Sequence, residues 1–196
     1  MSLVIAVKSG GKVLFGADTQ KTGGFRKMNP LSDANMKITR MPCGVLVGHA
    51  GMVDTANSLL RYPEWFSDMP EGDLTKQFIV TKIIPKLIRE LREKDLLEKD
   101  GSPDMKMNAG FLLAKGDRLF RISRTLCVFE IPEYTAVGSG EFAADAVFCD
   151  GNDKRSAEEK LLSALRLASK YDASVSGPFV FADTTEFECR IMEDKK

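Results

Sequence analysis

The sequence predicts an α+β protein in which two antiparallel sheets pack face to face and carry helices on their outer faces. Three observations predict it. The chain opens with two apolar runs, Leu3–Val7 and Val13–Asp18, joined by Ser9-Gly10-Gly11; this is the pattern of a buried β-hairpin. The elements then run as strands, two helices, strands, two helices, strands, without the regular alternation of a parallel βαβ fold. The 196 residues, 43% of them hydrophobic, suit one domain over 1–196 with a sizeable core.

In chain order, the opening hairpin pins the amino terminus into the fold, where termini normally fray. Thr19 to Asn35 is polar, contains Gly23, Gly24 and Pro30, and reads as a long functional loop. Met36–Thr39 reads as a short strand and Val45–Gly48 as a buried one. Met52, Val53, Ala56, Leu59 and Leu60 have helical spacing, and Pro63 follows. Asp73 is placed to cap a longer helix whose apolar face runs from Phe78 to Leu91, with a kink expected at Pro85. The charged run Arg89–Asp100 reads as a solvated helical end, and Gly101-Ser102-Pro103 as a loop rather than a linker between domains. Three strands follow over Ala109–Ala114, Leu119–Ile122 and Leu126–Ile131, the first two joined by a turn at Lys115–Arg118. Thr135–Gly140 is a strand running into a helix that carries Phe142, Ala143, Ala146 and Val147. Ser156-Ala-Glu-Glu159 is a capping box opening another helix. Phe179–Ala182 and Phe187–Ile191 read as closing strands.

Lys+Arg and Asp+Glu are both 28, so no basic surplus points to nucleic acid. No apolar run is long enough to span a bilayer and no signal-type leader opens the chain, so a cytoplasmic protein without a membrane partner is expected. The four cysteines lack C-x-x-C spacing and read as reduced, mostly buried thiols. His49 is the single histidine; no metal and no cofactor is expected, and a Ser-His-Asp triad is excluded unless built on His49, which reads as a packed or partly exposed side chain.

Chemistry without histidine is available at the start of the chain. If Met1 is removed, Ser2 carries a hydroxyl and a free α-amine, a nucleophile with its own base. An α-amine titrates near neutrality. A nearby ammonium such as Lys37 favours its free-base form by like-charge repulsion, and Asp18 pairs with Lys37 to hold it charged. While Met1 is attached, the nitrogen of Ser2 is an amide, and the chain is expected to be inactive.

These residues carry a resemblance. Val13–Gln20, Met36-Lys37-Ile38, Val47–Gly51, Ala136–Gly140 and, more weakly, Tyr171-Asp172 with Ser176-Gly177 resemble in order and spacing the proteasome β-type subunits. The likeness is greatest to the peptidase subunit of the bacterial two-component heat-shock protease, an HslV-like N-terminal-nucleophile hydrolase. The resemblance implies a four-layer αββα sandwich, stacking of identical chains into rings, a peptide or protein substrate and an unfoldase ATPase partner. It places Ser2 where the family has a catalytic threonine, Asp18 and Lys37 on its carboxylate and lysine, and Gly48 in the segment supplying the oxyanion hole. Ser139 falls on the supporting serine and Asp172 on the supporting aspartate; Ser176 matches if one residue is inserted after Asp172. Serine lacks the methyl that orients threonine's hydroxyl, so slower chemistry is expected.

Read from the residues alone, other roles stay open. Asp18 and Lys37 suit an ordinary ion pair, Ser139 a helix N-cap, Gly48 and Gly51 a turn. A catalytically inactive assembly subunit and an amidase for a small molecule remain alongside the peptidase.

Overall fold

The computed structural model describes residues 2–23, 26–28, 36–98, 105–186 and 189–192. The expected Gly101–Pro103 loop, Pro30, Phe187 and the state of Met1 lie outside the described residues.

The opening hairpin is β1 (Leu3–Ser9) and β2 (Lys12–Asp18), turned by Gly10 and Gly11 at positive φ. The expected loop after Asp18 contains a small ribbon instead, β3 (Lys21–Gly23) against β4 (Arg26–Met28). Next come β5 (Ile38–Arg40) and β6 (Leu46–Gly51), which pair with each other, and helix α1 (Val53–Leu60).

The second helix does not start as expected. The hydroxyl of Thr75, not the carboxylate of Asp73, accepts the N–H of Phe78 and opens α2 (Lys76–Phe78); Asp73 instead accepts the N–H of Leu74. A π turn over Ile79–Ile83 leads into α3 (Ile84–Glu93), with Pro85 in the first turn of α3. There its missing N–H is tolerated, with the wider turn directly before it. A two-residue ribbon of β7 (Leu97–Glu98) and β8 (Lys106–Met107) follows. Then come β9 (Ala109–Lys115), β10 (Arg118–Ile122), β11 (Val128–Glu130) and β12 (Tyr134–Gly138). Helices α4 (Glu141–Phe148) and α5 (Ala157–Tyr171) come next, the latter opened by a full Ser156/Glu159 capping box. The chain closes with β13 (Phe179–Asp183) and β14 (Arg190–Met192).

Two five-stranded antiparallel sheets result, in the orders β12-β1-β2-β13-β14 and β11-β10-β9-β6-β5. Period-two alternation divides their side chains. Val4, Ala6 and Phe15 of the first sheet meet Leu46, Leu112 and Leu119 of the second in one core. Leu3 and Ile5 point the other way, onto Leu161, Leu165 and Ala168 of α5. Phe111, Leu113 and Phe120 point away from the shared core onto Leu59 of α1 and Leu87 of α3. Each fully buried Leu or Phe of this kind contributes about 2 kcal/mol. Because β1 lies inside its sheet, between β12 and β2, Ser2 is held where two strand ends and the start of α4 meet.

Candidate functional site

The hairpin register pairs Val4 with Ala17, which brings Leu3 opposite Asp18, the last residue of β2. The backbone N–H of Leu3 donates to Oδ1 of Asp18 at 2.8 Å. The same oxygen accepts from Nζ of Lys37 at 2.7 Å, and Nζ also donates to the carbonyl of Gln20 at 2.7 Å. Lys37 directly precedes β5, and its carbonyl accepts the N–H of His49. Asp18 and Lys37 are both buried. Burial, the largest influence on each, pushes the Asp18 carboxyl up and pulls the Lys37 amine down; their mutual attraction opposes both shifts. Oδ2 of Asp18 is buried and has no hydrogen-bond partner among the described residues, so Leu3 and Lys37 both meet this carboxylate on Oδ1.

On the opposite side of Ser2, β12 ends at Gly138, whose φ is +117°. A Cβ there would lie 2.0 Å from the carbonyl oxygen of Ser2; only glycine lets the strand end approach so closely. Ser139 follows. Its hydroxyl donates to Oδ2 of Asp172, and Oδ1 of Asp172 receives the hydroxyl and, at 2.9 Å, the N–H of Ser174. Burial pushes the Asp172 carboxyl up, but these bonds outweigh it and hold the group below the usual carboxylate range. Ser139 is therefore engaged with Asp172 and is not the cap of α4, which is Gly140 without a side-chain bond. Ser174, not Ser176, completes this trio. Its position two residues after an aspartate at a helix end, where a side-chain turn forms, was the signal in the sequence that could have found it.

A cavity of about 720 Å3 is lined by Ser2, Thr22, Gly51, Arg121, Gly138 and Ser139, among others. Asp18, Lys37 and Asp172 do not line it: Asp18 bonds the N–H of Leu3, the residue after the lining Ser2, and Asp172 bonds the lining Ser139. Gly48 does not line it. An added Cβ at Gly48 would lie 2.8 Å from Val4 Cγ1 and 3.0 Å from Phe15 Cε1, so Gly48 serves close packing between the sheets. Gly51, three residues on, has φ +130° and does line the cavity. The N–H of His49 points to the β5 edge; strand alternation directs the N–H of Gly51 to the same edge, beyond the end of β5.

His49 is buried, and its pKa is lowered to about 4 by burial and by the charges of Lys37 and Lys21; it is neutral at neutral pH. Among the described residues no group of three His, Cys, Asp or Glu is arranged to hold a metal. Among the described residues no disulfide joins the cysteines; Cys127 and Cys149 are exposed and Cys43 and Cys189 half-buried, against the expectation of mostly buried thiols. No described helix is long and apolar enough to cross a membrane.

Neither a family model nor a curated protein matches the sequence. Solved structures do match its fold. Thiobacillus denitrificans BPH, solved alone and in complex with epoxomicin, superposes with a TM-score of 0.72 in both forms. The uncomplexed form is 20% identical, over 92% of this chain and 96% of its own. Eukaryotic HslV from Trypanosoma brucei gives 0.66 at 22% identity, over 92% and 98%. A Gly-1 mutant of Anbu from Hyphomicrobium sp. strain MC1 gives 0.74 at 13% identity, over 100% and 88%. The mixed α/β fold with two antiparallel sheets is thus the fold of HslV- and Anbu-type proteins.

Proposed function

We propose that this chain, on a fold shared with HslV- and Anbu-type proteins, is a proteasome-β-like N-terminal-nucleophile amide hydrolase, a peptidase whose nucleophile is Ser2 after removal of Met1. The observation that carries this reading is the sharing of Asp18 Oδ1 by the N–H of Leu3 and the ammonium of Lys37. It ties residue 2 to a buried lysine–carboxylate couple at the edge of a cavity.

In this mechanism the free α-amine of Ser2 takes the hydroxyl proton as Oγ bonds to the scissile carbonyl carbon. The Lys37 charge disfavours a second charge beside it and keeps the amine in its basic form. The N–H of Gly51 donates to the developing oxyanion, a type of contact worth about 3–4 kcal/mol in the transition state. The C–N bond breaks, the α-ammonium returns the proton to the leaving amine, and water then hydrolyses the serine ester with the same amine as base. Asp172 and Ser174 are positioning residues that fix Ser139 beside the nucleophile. The reading includes one domain over 1–196 in an αββα sandwich of four layers, rings of identical chains, a peptide or protein substrate delivered by an unfoldase ATPase, and action in the cytoplasm.

Intact-mass analysis of protein made in its native host, together with hydrolysis of unfolded protein substrates, tests this. Met1-free protein that cuts peptide bonds, with loss of cutting in Lys37→Ala, is expected. Quantitative retention of Met1 with no hydrolysis leaves the inactive assembly subunit; hydrolysis confined to small amides leaves the small-molecule amidase.

A further inference from the structure

Arg121 and Glu141 are the two residues that line both the cavity at Ser2 and a neighbouring cavity of about 420 Å3. Arg121 projects from the interior of β10, opposite Leu112 on β9 and Phe129 on β11, so its stem is fixed by strands on either side. Its Nη2 meets Oε2 of Glu141 at 3.1 Å, and the two side chains are 35% and 47% exposed. An ion pair this open to water is weak and exchangeable. Glu141 is the first residue of α4, where a helix N-terminus favours a carboxylate even without a cation beside it. Separating the pair therefore strands no buried charge, and the second cavity gives both side chains room to turn. A guanidinium has five N–H donors in a fork that matches a carboxylate, and the bond to Glu141 uses one of them. Arg124, on the same cavity wall, is by contrast tied to Oδ1 of Asn108 at 2.9 Å and to the carbonyl of Met107 at 3.3 Å.

We propose that Arg121 is a specificity residue that binds a carboxylate of the substrate, with Glu141 occupying that place until the substrate arrives. The carboxylate is an acidic side chain near the scissile bond or the free C-terminus of a short peptide. The inference rests on the reading of the cavity as a peptidase site, and it adds a charge preference to that site.

The test is equilibrium binding of fluorescein-labelled pentapeptides to the full chain carrying Ser2→Ala, which removes the nucleophile. The peptides carry Glu, Gln or Lys at successive positions, each with a free or amidated C-terminus. We expect one carboxylate-bearing arm to bind about tenfold tighter than its neutral isostere, as for a single charge-assisted contact; whichever arm it is names the source. Arg121→Gln should bring that ratio to about one, Arg121→Lys should keep part of it, and Glu141→Gln should enlarge it by freeing the guanidinium. Because the readout is a ratio within each variant, a general loss of binding cancels. No preference in the parent, a ratio unchanged by Arg121→Gln, or one not raised by Glu141→Gln overturns the proposal. Hydrolysis by the Met1-free parent, followed in parallel, separates the two readings. Cutting without charge preference removes Arg121's role alone; preference without cutting removes the peptidase reading and leaves a carboxylate-binding cavity.

Discussion

The backbone N–H of Leu3 and the side chain of Asp18 are joined at 2.8 Å, so the residue before Leu3 has its place set by a carboxylate rather than by chance at a free end. Lys37 leans on the same oxygen. Removing one partner of such a buried pair leaves an uncompensated charge, which typically costs about 3–5 kcal/mol. Urea unfolding of Lys37→Ala and of Asp18→Asn should each show a loss of that order. The double change Asp18→Asn with Lys37→Ala should cost less than the sum of the single ones, because it leaves neither charge stranded.

Gly138 allows the end of β12 to touch Ser2. Gly138→Ala would put a methyl 2.0 Å from the Ser2 carbonyl oxygen, at φ +117°. The strand end must shift, and both folding stability and any reaction at Ser2 should suffer. Gly116→Ala is the control: its φ is +58° and no atom of the described residues would lie within 4 Å of the added methyl, so it should cost only about 1–2 kcal/mol for the left-handed backbone. Thermal unfolding of the pair, with Ser2 reactivity measured alongside, checks the difference.

His49 gives a pH dependence with a definite sign. Its folded pKa, about 4, lies below the ordinary 6.5. Above pH 6.5 both folded and unfolded states carry a neutral ring. As pH falls below 6.5 the unfolded chain binds the proton first, and stability is lost down to about pH 4, by an amount on the order of 3 kcal/mol. His49→Asn should remove that share of the slope between pH 7 and pH 4 in denaturant titrations.

Asp172 acts in a lower window. Its pKa is held below 3.8, so its hydrogen bonds from Ser139 and Ser174 contribute fully above that pH and are lost as pH falls through the folded value. Asp172→Asn should lower stability by about 1–2 kcal/mol at pH 5–7, with the difference from the parent shrinking below pH 4.

The parts of this fold written in local pattern were legible in the sequence. Two apolar runs around Gly10-Gly11 read as β1 and β2, Ser156 and Glu159 read as a capping box, and Asp18 with Lys37 read as partners. What failed depended on direction and on competition between neighbours. Gly48 and Gly51 share one motif, but Gly48 shares with Leu46 and Ala50 the strand face turned to the inter-sheet core, whereas Gly51 lies at the strand's end on the cavity. Asp73 and Thr75 both suit a helix cap, and the burial of Leu74 between them accompanies the choice of Thr75. Ser174 and Ser176 both follow Asp172, and only the turn at the end of α5 brings the nearer one back to the carboxylate. The order of strands in each sheet, and so the meeting of Leu3, Gly138 and Ser139, joins segments more than a hundred residues apart and has no local signature.

The most direct test of the account is peptide mapping by mass spectrometry after Met1-free protein is incubated with an electrophilic peptide probe. The account predicts one covalent adduct, on Ser2, absent from protein that retains Met1 and strongly reduced in Lys37→Ala. An adduct on another residue, or one on Ser2 that forms equally fast in Lys37→Ala, would contradict it.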